Sequence, residues 1–266
     1  MKLGKRAARI DSRTIKLSSI IKPELLPPLP DSFDFDKAFP DLIFPSGNDY
    51  GNLDHGCCVE VTKYLWQMRA EAVEQERIIP VTRNDVLGQY FSETGGIRND
   101  YGLVMLDSFR DWRRNGIRIN GRKFLGFHWG GHKYKIRAFA SIDMIHIEEV
   151  KAAIYLLYGM PTGLLLPATA QDQWDRGDVW DVVDKPGNEP GTWGGHAVNT
   201  YVYRAENAKT DKYWFECYTW GKRQVMSYDF LKKYCDECYA VVDKKDRSDS
   251  PINEEKLEGY LTAVSK

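Results

Sequence analysis

The sequence predicts an α+β protein with a helical lobe first and a sheet lobe second, and three observations lead there. Apolar residues recur with helical spacing early in the chain, at Val61, Leu65, Met68 and Ala72. In the second half the pattern turns to alternation and short apolar runs, as in Lys133–Phe139 and His196–Tyr203. The 266 residues are 42% hydrophobic, with 37 Lys+Arg against 38 Asp+Glu. That globular composition supplies the core of one large domain or of two small lobes.

Residues 1–28 form a basic arm, with Lys2, Lys5, Arg6, Arg9, Arg13, Lys16 and Lys22 against Asp11, and it ends in Pro27-Pro28. Residues 243–266 are a polar tail that contains Lys244, Lys245, Asp246 and Arg247. Both ends are expected to be mobile or peripheral to a domain spanning 29–242. Within it, a loop rich in Pro, Gly and Asp, Phe44–Gly56, runs into a helix of about four turns. Helical patterns follow at Asn84–Phe91 and Leu103–Arg114, the second stopped by Asn115-Gly116, which places the helical lobe at about 50–120. In the sheet lobe, about 121–242, Lys133–Phe139 alternates and Ile147–Tyr158 is helical. Thr162–Leu166, His196–Tyr203 and Tyr213–Tyr218 read as strands, then Tyr228–Tyr234 as a helix and Tyr239–Val242 as a short strand. The tetrapeptide WGGH occurs at Trp129–His132 and Trp193–His196, but nothing around it matches, so there is no internal repeat.

Several functions are excluded by composition. A net charge of −1 with no sizeable basic patch argues against nucleic acid as a partner. Apolar runs such as Ala152–Leu157 and Gly163–Leu166 fall far short of the roughly 20 residues of a membrane helix. The basic arm is not followed by the apolar stretch of a secretory signal. Five cysteines do not make a disulfide framework and suit a reducing compartment, so a cytoplasmic protein is expected.

Chemistry is expected first at Cys57-Cys58, directly after the glycine-rich loop and at the first turn of the strongest helix. The partial positive charge and free N–H groups of a helix N-terminus stabilise a thiolate and lower a cysteine pKa from about 8.5. Gly194-Gly195-His196 is a glycine turn that delivers a histidine to the start of a strand, where it can act as the paired base and acid. His132 shares the prefix, while His128 and His146 read as structural and His55 lies too close to Cys58 along the loop to align with it. Cys235-Asp236-Glu237-Cys238 is half a zinc site and reads as packing, so neither metal nor cofactor is expected. The segment from Trp174 reads as part of a long loop before His196, in which Trp174, Trp180 and Trp193 either line a substrate cleft or cap the sheet lobe.

Gly-Cys-Cys at a helix start, Gly-Gly-His at a strand start and Tyr218-Thr219-Trp220-Gly221 at a strand end come in the order that characterises the papain-like C1 cysteine peptidases, and the sequence resembles that family. His196 lies 138 residues beyond Cys58, within the roughly 130–150 of the family, whereas His132 lies 74 beyond it. The resemblance runs from about Leu29 to Val242 and includes the proline-bearing segment Leu29–Asp34 and the stretch Asp100–Ile117. It implies a two-lobe fold, the second lobe an antiparallel sheet or barrel, with the cleft between the lobes and a peptide or protein as substrate. It further implies Cys58 as nucleophile, His196 as its base, and Asn52 with the Cys58 N–H as oxyanion donors. Gly102, Gly195, Trp193 and Trp220 would lie along the cleft, with Trp220 shielding the histidine.

The departures are specific. Val59 replaces the family's Trp, His55 replaces the first cysteine of its CGSC element, and Tyr218 stands where an Asn orients the histidine. Tyr218, Thr219 or a backbone carbonyl is expected to take over that role. The arm is shorter than the family's inhibitory propeptide, so no zymogen is expected. Trp220-Gly221, Met226–Tyr228 and Tyr234–Glu237 also resemble papain-like proteins of bacteriophages, which would suit a virion. Two other readings are a papain fold kept for binding or virion structure with impaired chemistry, and a cell-wall peptide amidase, whose usual Asp-Cys-Ser opening is missing here.

Overall fold

The computed structural model describes residues 1–22, 25–42, 44–120, 122–124, 127–207, 212–243 and 251–264. The cluster Lys244, Lys245, Asp246 and Arg247 lies outside them. Helix α1, Cys58–Gln75, is buried on every face from Cys58 to Ala72 rather than along one apolar stripe. It runs between the sheet and the other helices of its lobe, so its polar side chains need buried partners. Lys63 Nζ sits 2.6 Å from Glu60 and 2.7 Å from Glu93, and Ser108 donates to Glu60 at 3.0 Å. Desolvation pushes the Glu60 carboxyl well above its ordinary range. Lys63→Met would leave these carboxyls without their cation, and it is expected to lower stability by about 3 kcal/mol. An unchanged urea midpoint would rule this out.

Helix α2, Arg83–Thr94, starts at a capping box in which the Thr82 hydroxyl accepts from the Asp85 N–H and the Asp85 carboxylate accepts from the Thr82 N–H. Helix α3, Met105–Asn115, stops at Gly116. These helices enclose a core around Trp66, Phe109 and Trp112.

The sheet has seven strands: β1 (Ser32–Asp34), β2 (Ala138–Ser141), β3 (Met160–Leu166), β4 (Gly194–Ala205), β5 (Tyr213–Thr219), β6 (Lys222–Ser227) and β7 (Cys235–Val242). Its order is β6-β5-β4-β3-β7-β2, with β1 added to the far end of β4, and every pair is antiparallel. The edges β6 and β2 do not meet, so the lobe is an open sheet and not the barrel allowed for by the sequence. Helices α4 (Ile147–Leu156), α5 (Ala168–Arg176) and α6 (Tyr228–Tyr234) surround a second core containing Leu164, Trp180, Val198 and Phe215.

Three local readings change. Lys133–Phe139 is not one strand: His132–Tyr134 pairs with Ile117–Ile119, and only Ala138 onward joins the sheet. Trp174–Arg176, read as loop, is the end of α5. The arm and the tail are not peripheral throughout, since a helical turn at Leu17–Ile20 packs on a tail helix, α7 (Glu254–Val264), and Leu17, Ile20 and Leu257 are fully buried. Among the described residues no helix is long and apolar enough to cross a membrane.

Candidate active site

Cys58 is the first residue of α1, and the loop before it is shaped by its own polar side chains. Asp49 accepts from the N–H groups of Gly51 and Leu53, Asn48 accepts from Tyr50, and Tyr50 and Gly51 take φ of 53° and 94°. The Gly56 N–H donates to Asp100 at 2.8 Å, which ties the helix start to the segment before α3. Burial alone would raise the Asp100 carboxyl, but Lys2, the Gly56 N–H, Tyr90 and His55 outweigh it and hold it down at about 2. His55 is thereby engaged with Asp100 at 3.3 Å, away from any role as base.

His196 lies on β4, opposite Leu164 of β3, and is fully buried. Its Nε2 is 2.6 Å from the Thr219 hydroxyl, and its Nδ1 has no hydrogen-bond partner. The Trp220 indole stacks on the imidazole, with centroids 4.2 Å apart and planes at 13°. The turn explains this placement. Thr219 pairs with Lys222, so Trp220-Gly221 is a two-residue hairpin loop, with φ of 45° and 87° as a type I′ turn requires. Tryptophan at a left-handed position is strained, and here the strain lays its ring over the histidine.

The thiol lies against β4 one residue further on, beside the backbone of Ala197, and against the backbone of Gly4, whose polar groups offset part of its burial. Cys58 and His196 are both fully buried. Burial pushes the thiol up to about 11 and the imidazole down to about 3, so both groups are neutral at pH 7.

The arm runs through this site. The Lys2 carbonyl accepts from the Asn52 side chain and from the Trp220 indole, each at 3.3 Å. The Gly4 carbonyl accepts from Leu103 N–H at 2.8 Å, Lys5 N–H donates to Gly195 O at 3.0 Å, and Arg6 N–H donates to Leu103 O at 2.8 Å. A Cβ on Gly102 would lie 2.1 Å from Gly4 O and one on Gly195 2.1 Å from Lys5 O, so both glycines are where the arm's backbone presses closest. Short as the arm is, its residues 2–6 run along the thiol, the Asn52 side chain and the Trp220 indole.

Of the residues singled out in the sequence, Cys58, His196, Asn52, Gly102, Gly195 and Trp220 come together along this segment, and Trp193 lies behind, its ring 5.5 Å from Trp220. Tyr218 does not join them in the expected way. Its hydroxyl donates to Asn48 O and accepts from Asn48 N–H, which pins the loop before α1, and Thr219 bonds the histidine instead. His132 is exposed on its small sheet. Cys235 and Cys238 belong to no cluster of potential metal ligands among the described residues; the one such group is Glu71, Glu74 and Asp243. Sequence reasoning missed Gly4 and Lys5, because one glycine and one lysine in a basic arm carry no local signal.

No protein-family model matches the chain, and no curated protein matches it. Solved structures do. The chain is similar to xylellain, a cysteine protease from Xylella fastidiosa, at 14% identity over 91% of this chain and 96% of that one, with a TM-score of 0.63. It is similar to procathepsin B S9 from Trypanosoma congolense at 14% identity, over 92% and 87% of the two chains, with a TM-score of 0.66. For digestive procathepsin L 3 of the Tenebrio molitor larval midgut the identity is 11%, the coverage 86% and 76%, and the TM-score 0.53. The likeness is one of fold: the chain has the two-lobe fold of the papain-like cysteine proteases.

Proposed function

We propose that the chain is a thiol hydrolase that cleaves peptide bonds and that the arm holds it latent. The observation that carries this reading is the environment of His196. Its Nε2 rests on Thr219, its face is shielded by Trp220, and its Nδ1 is unpartnered while the backbone of the next residue lies beside the Cys58 thiol. When a peptide replaces the arm, His196 Nδ1 takes the Cys58 proton and the thiolate attacks the carbonyl carbon. The Cys58 N–H and the Asn52 amide, which already donates to the Lys2 carbonyl, hold the oxyanion. His196 then protonates the departing amine, and a water deprotonated by the same nitrogen hydrolyses the thioester.

With the arm in place, burial favours the neutral thiol over the thiolate and the neutral imidazole over the imidazolium. The test is labelling of folded protein with an epoxysuccinyl probe at pH 7, read by peptide mass spectrometry, before and after the arm is displaced. Labelling confined to Cys58 and rising on displacement is expected. Equal labelling of all five thiols, or none at Cys58 with the arm displaced, would sink the reading.

A further inference from the structure

The arm delivers one cation into the protein interior. The Lys5 side chain is fully buried, and its Nζ lies 2.7 Å from Asp236 Oδ2 and 3.0 Å from Glu237 Oε1. Three features make this a built pocket rather than a chance ion pair. Asp236 and Glu237 are neighbours on β7, and in a regular strand neighbouring side chains point to opposite faces. The β7–β3 register shifts between Cys235 and Glu237, and this bulge lets both carboxylates reach the same amine. The floor is Gly163 of β3, where a Cβ would lie 2.2 Å from Lys5 Cε and 2.8 Å from Glu237 Cγ, so any other residue would close the space for an aliphatic stem. Glu237 is also held from behind by the Tyr239 hydroxyl at 2.8 Å.

Two carboxylates facing one ammonium leave the pocket negative, and emptying it would leave two like charges side by side in a largely buried place. Asp236 Oδ1 has no hydrogen-bond partner, so a guanidinium, with more donors than an ammonium, would find a free acceptor. The arm's backbone also shows the register. The Gly4 backbone lies beside the Cys58 thiol while Lys5 N–H donates to Gly195 O, so the pocket reads the side chain adjacent to the residue held over the thiol.

We propose that the pocket formed by Gly163, Asp236 and Glu237 is the specificity pocket of the cleft and selects peptides by a lysine or arginine side chain, a place that Lys5 fills in the resting chain. The proposal rests on the thiol-hydrolase reading for its cleavage step but not for its binding step, and the test separates them. It uses the full chain carrying Gly4→Val, which displaces the arm without touching the pocket. A free peptide of the arm's own first eight residues should protect Cys58 from iodoacetamide, and the same peptide with Lys5→Leu should protect about thirtyfold less well. In the chain that also carries Asp236→Asn and Glu237→Gln, the two peptides should protect alike. Equal protection by both peptides with the acids present, or protection by neither, overturns the proposal.

Turnover of fluorogenic peptides by the Gly4→Val chain is read in parallel, and those with Lys or Arg adjacent to the residue over the thiol should be preferred to those with Leu. Discrimination in binding with no turnover at all would sink the hydrolase reading and keep the pocket; turnover without preference would do the reverse. A set without the Gly4 change guards against misfolding. Cys58 in full-length Lys5→Arg should stay as protected as in the wild type, and in Lys5→Leu it should become reactive. Adding Asp236→Asn and Glu237→Gln to Lys5→Leu should restore protection, and failure of that rescue also counts against the pocket.

Discussion

Replacing Gly4 by valine in the full chain is expected to raise the alkylation rate of Cys58 by roughly 100-fold. A Cβ at position 4 would lie 1.9 Å from Gly56 O and 2.3 Å from Gly56 C, which is backbone and has no rotamer to change. Gly56 cannot retreat, because its N–H is held by Asp100 at 2.8 Å and the next two residues open helix α1. The arm must therefore leave, and it gives up the hydrogen bonds of Gly4 O, Lys5 N–H and Arg6 N–H. At about 1 kcal/mol net for each bond and 1.4 kcal/mol per tenfold, the loss is worth about two orders of magnitude in the population of the open cleft. Water then reaches both members of the pair, and the desolvation that holds the thiol near 11 and the imidazole near 3 is relieved. The measurement is a time course of iodoacetamide modification at pH 7.5, resolved by peptide. If Cys58 reacts no faster in Gly4→Val than in the wild type, the arm is not what protects it.

In the same opened chain, His196→Ala should lower peptide hydrolysis by about 10⁴-fold, the upper range for a positioned acid and base. On the proposed mechanism, Thr219 is expected to supply much of that capacity by setting where the imidazole proton sits. In the tautomer whose Nε2–H donates to the Thr219 hydroxyl, 2.6 Å away, the lone pair lies on Nδ1, which can then accept the thiol proton. Thr219→Val removes that partner and is expected to cost on the order of 10²-fold in kcat, with a shifted pH profile and little change in KM. Thr219→Ser should recover most of the rate. Tyr218→Phe breaks only the bonds to Asn48 and should leave the pH profile in place. A Tyr218→Phe loss equal to that of Thr219→Val would return the orienting role to the tyrosine.

The difference between Tyr218 and Thr219 shows where reading the sequence stops. The tetrapeptide from Tyr218 to Gly221 announces a strand end and a turn, and the pairing of Thr219 with Lys222 confirms the turn. Which of two adjacent polar residues faces the imidazole depends on the phase of β5 against β4, where the register slips between Thr200 and Val202. A one-residue change of phase turns every side chain to the opposite face, and local sequence does not encode a slip set by a neighbouring strand. Helices were more legible because their cues are local. Thr82 with Asp85, Gly95 and Gly116 mark ends within a few residues of the residues they cap. Helix α5 was missed because it is short and its buried face, Thr169, Ala170, Gln173 and Trp174, is half polar, so no apolar stripe repeats along it.

By itself, the sequence determined an α+β chain with a helical lobe before a sheet lobe. It also placed a cysteine at a helix start and a histidine at a strand start 138 residues on, with a tryptophan turn beyond, since periodicity, glycine positions and spacing are properties of neighbours along the chain. Only the tertiary structure decided that the sheet stays open, that Thr219 and not Tyr218 meets the histidine, and that the basic arm lies in the cleft with Lys5 against Asp236 and Glu237. Those outcomes join residues as far apart as Lys5 and Asp236, 231 positions from each other, and need a bulge, a glycine floor and a buried charge at one point in space. An exposed lysine and a buried one look alike in sequence. They differ only in whether the folded chain brings carboxylates to meet the amine, and here it brings two.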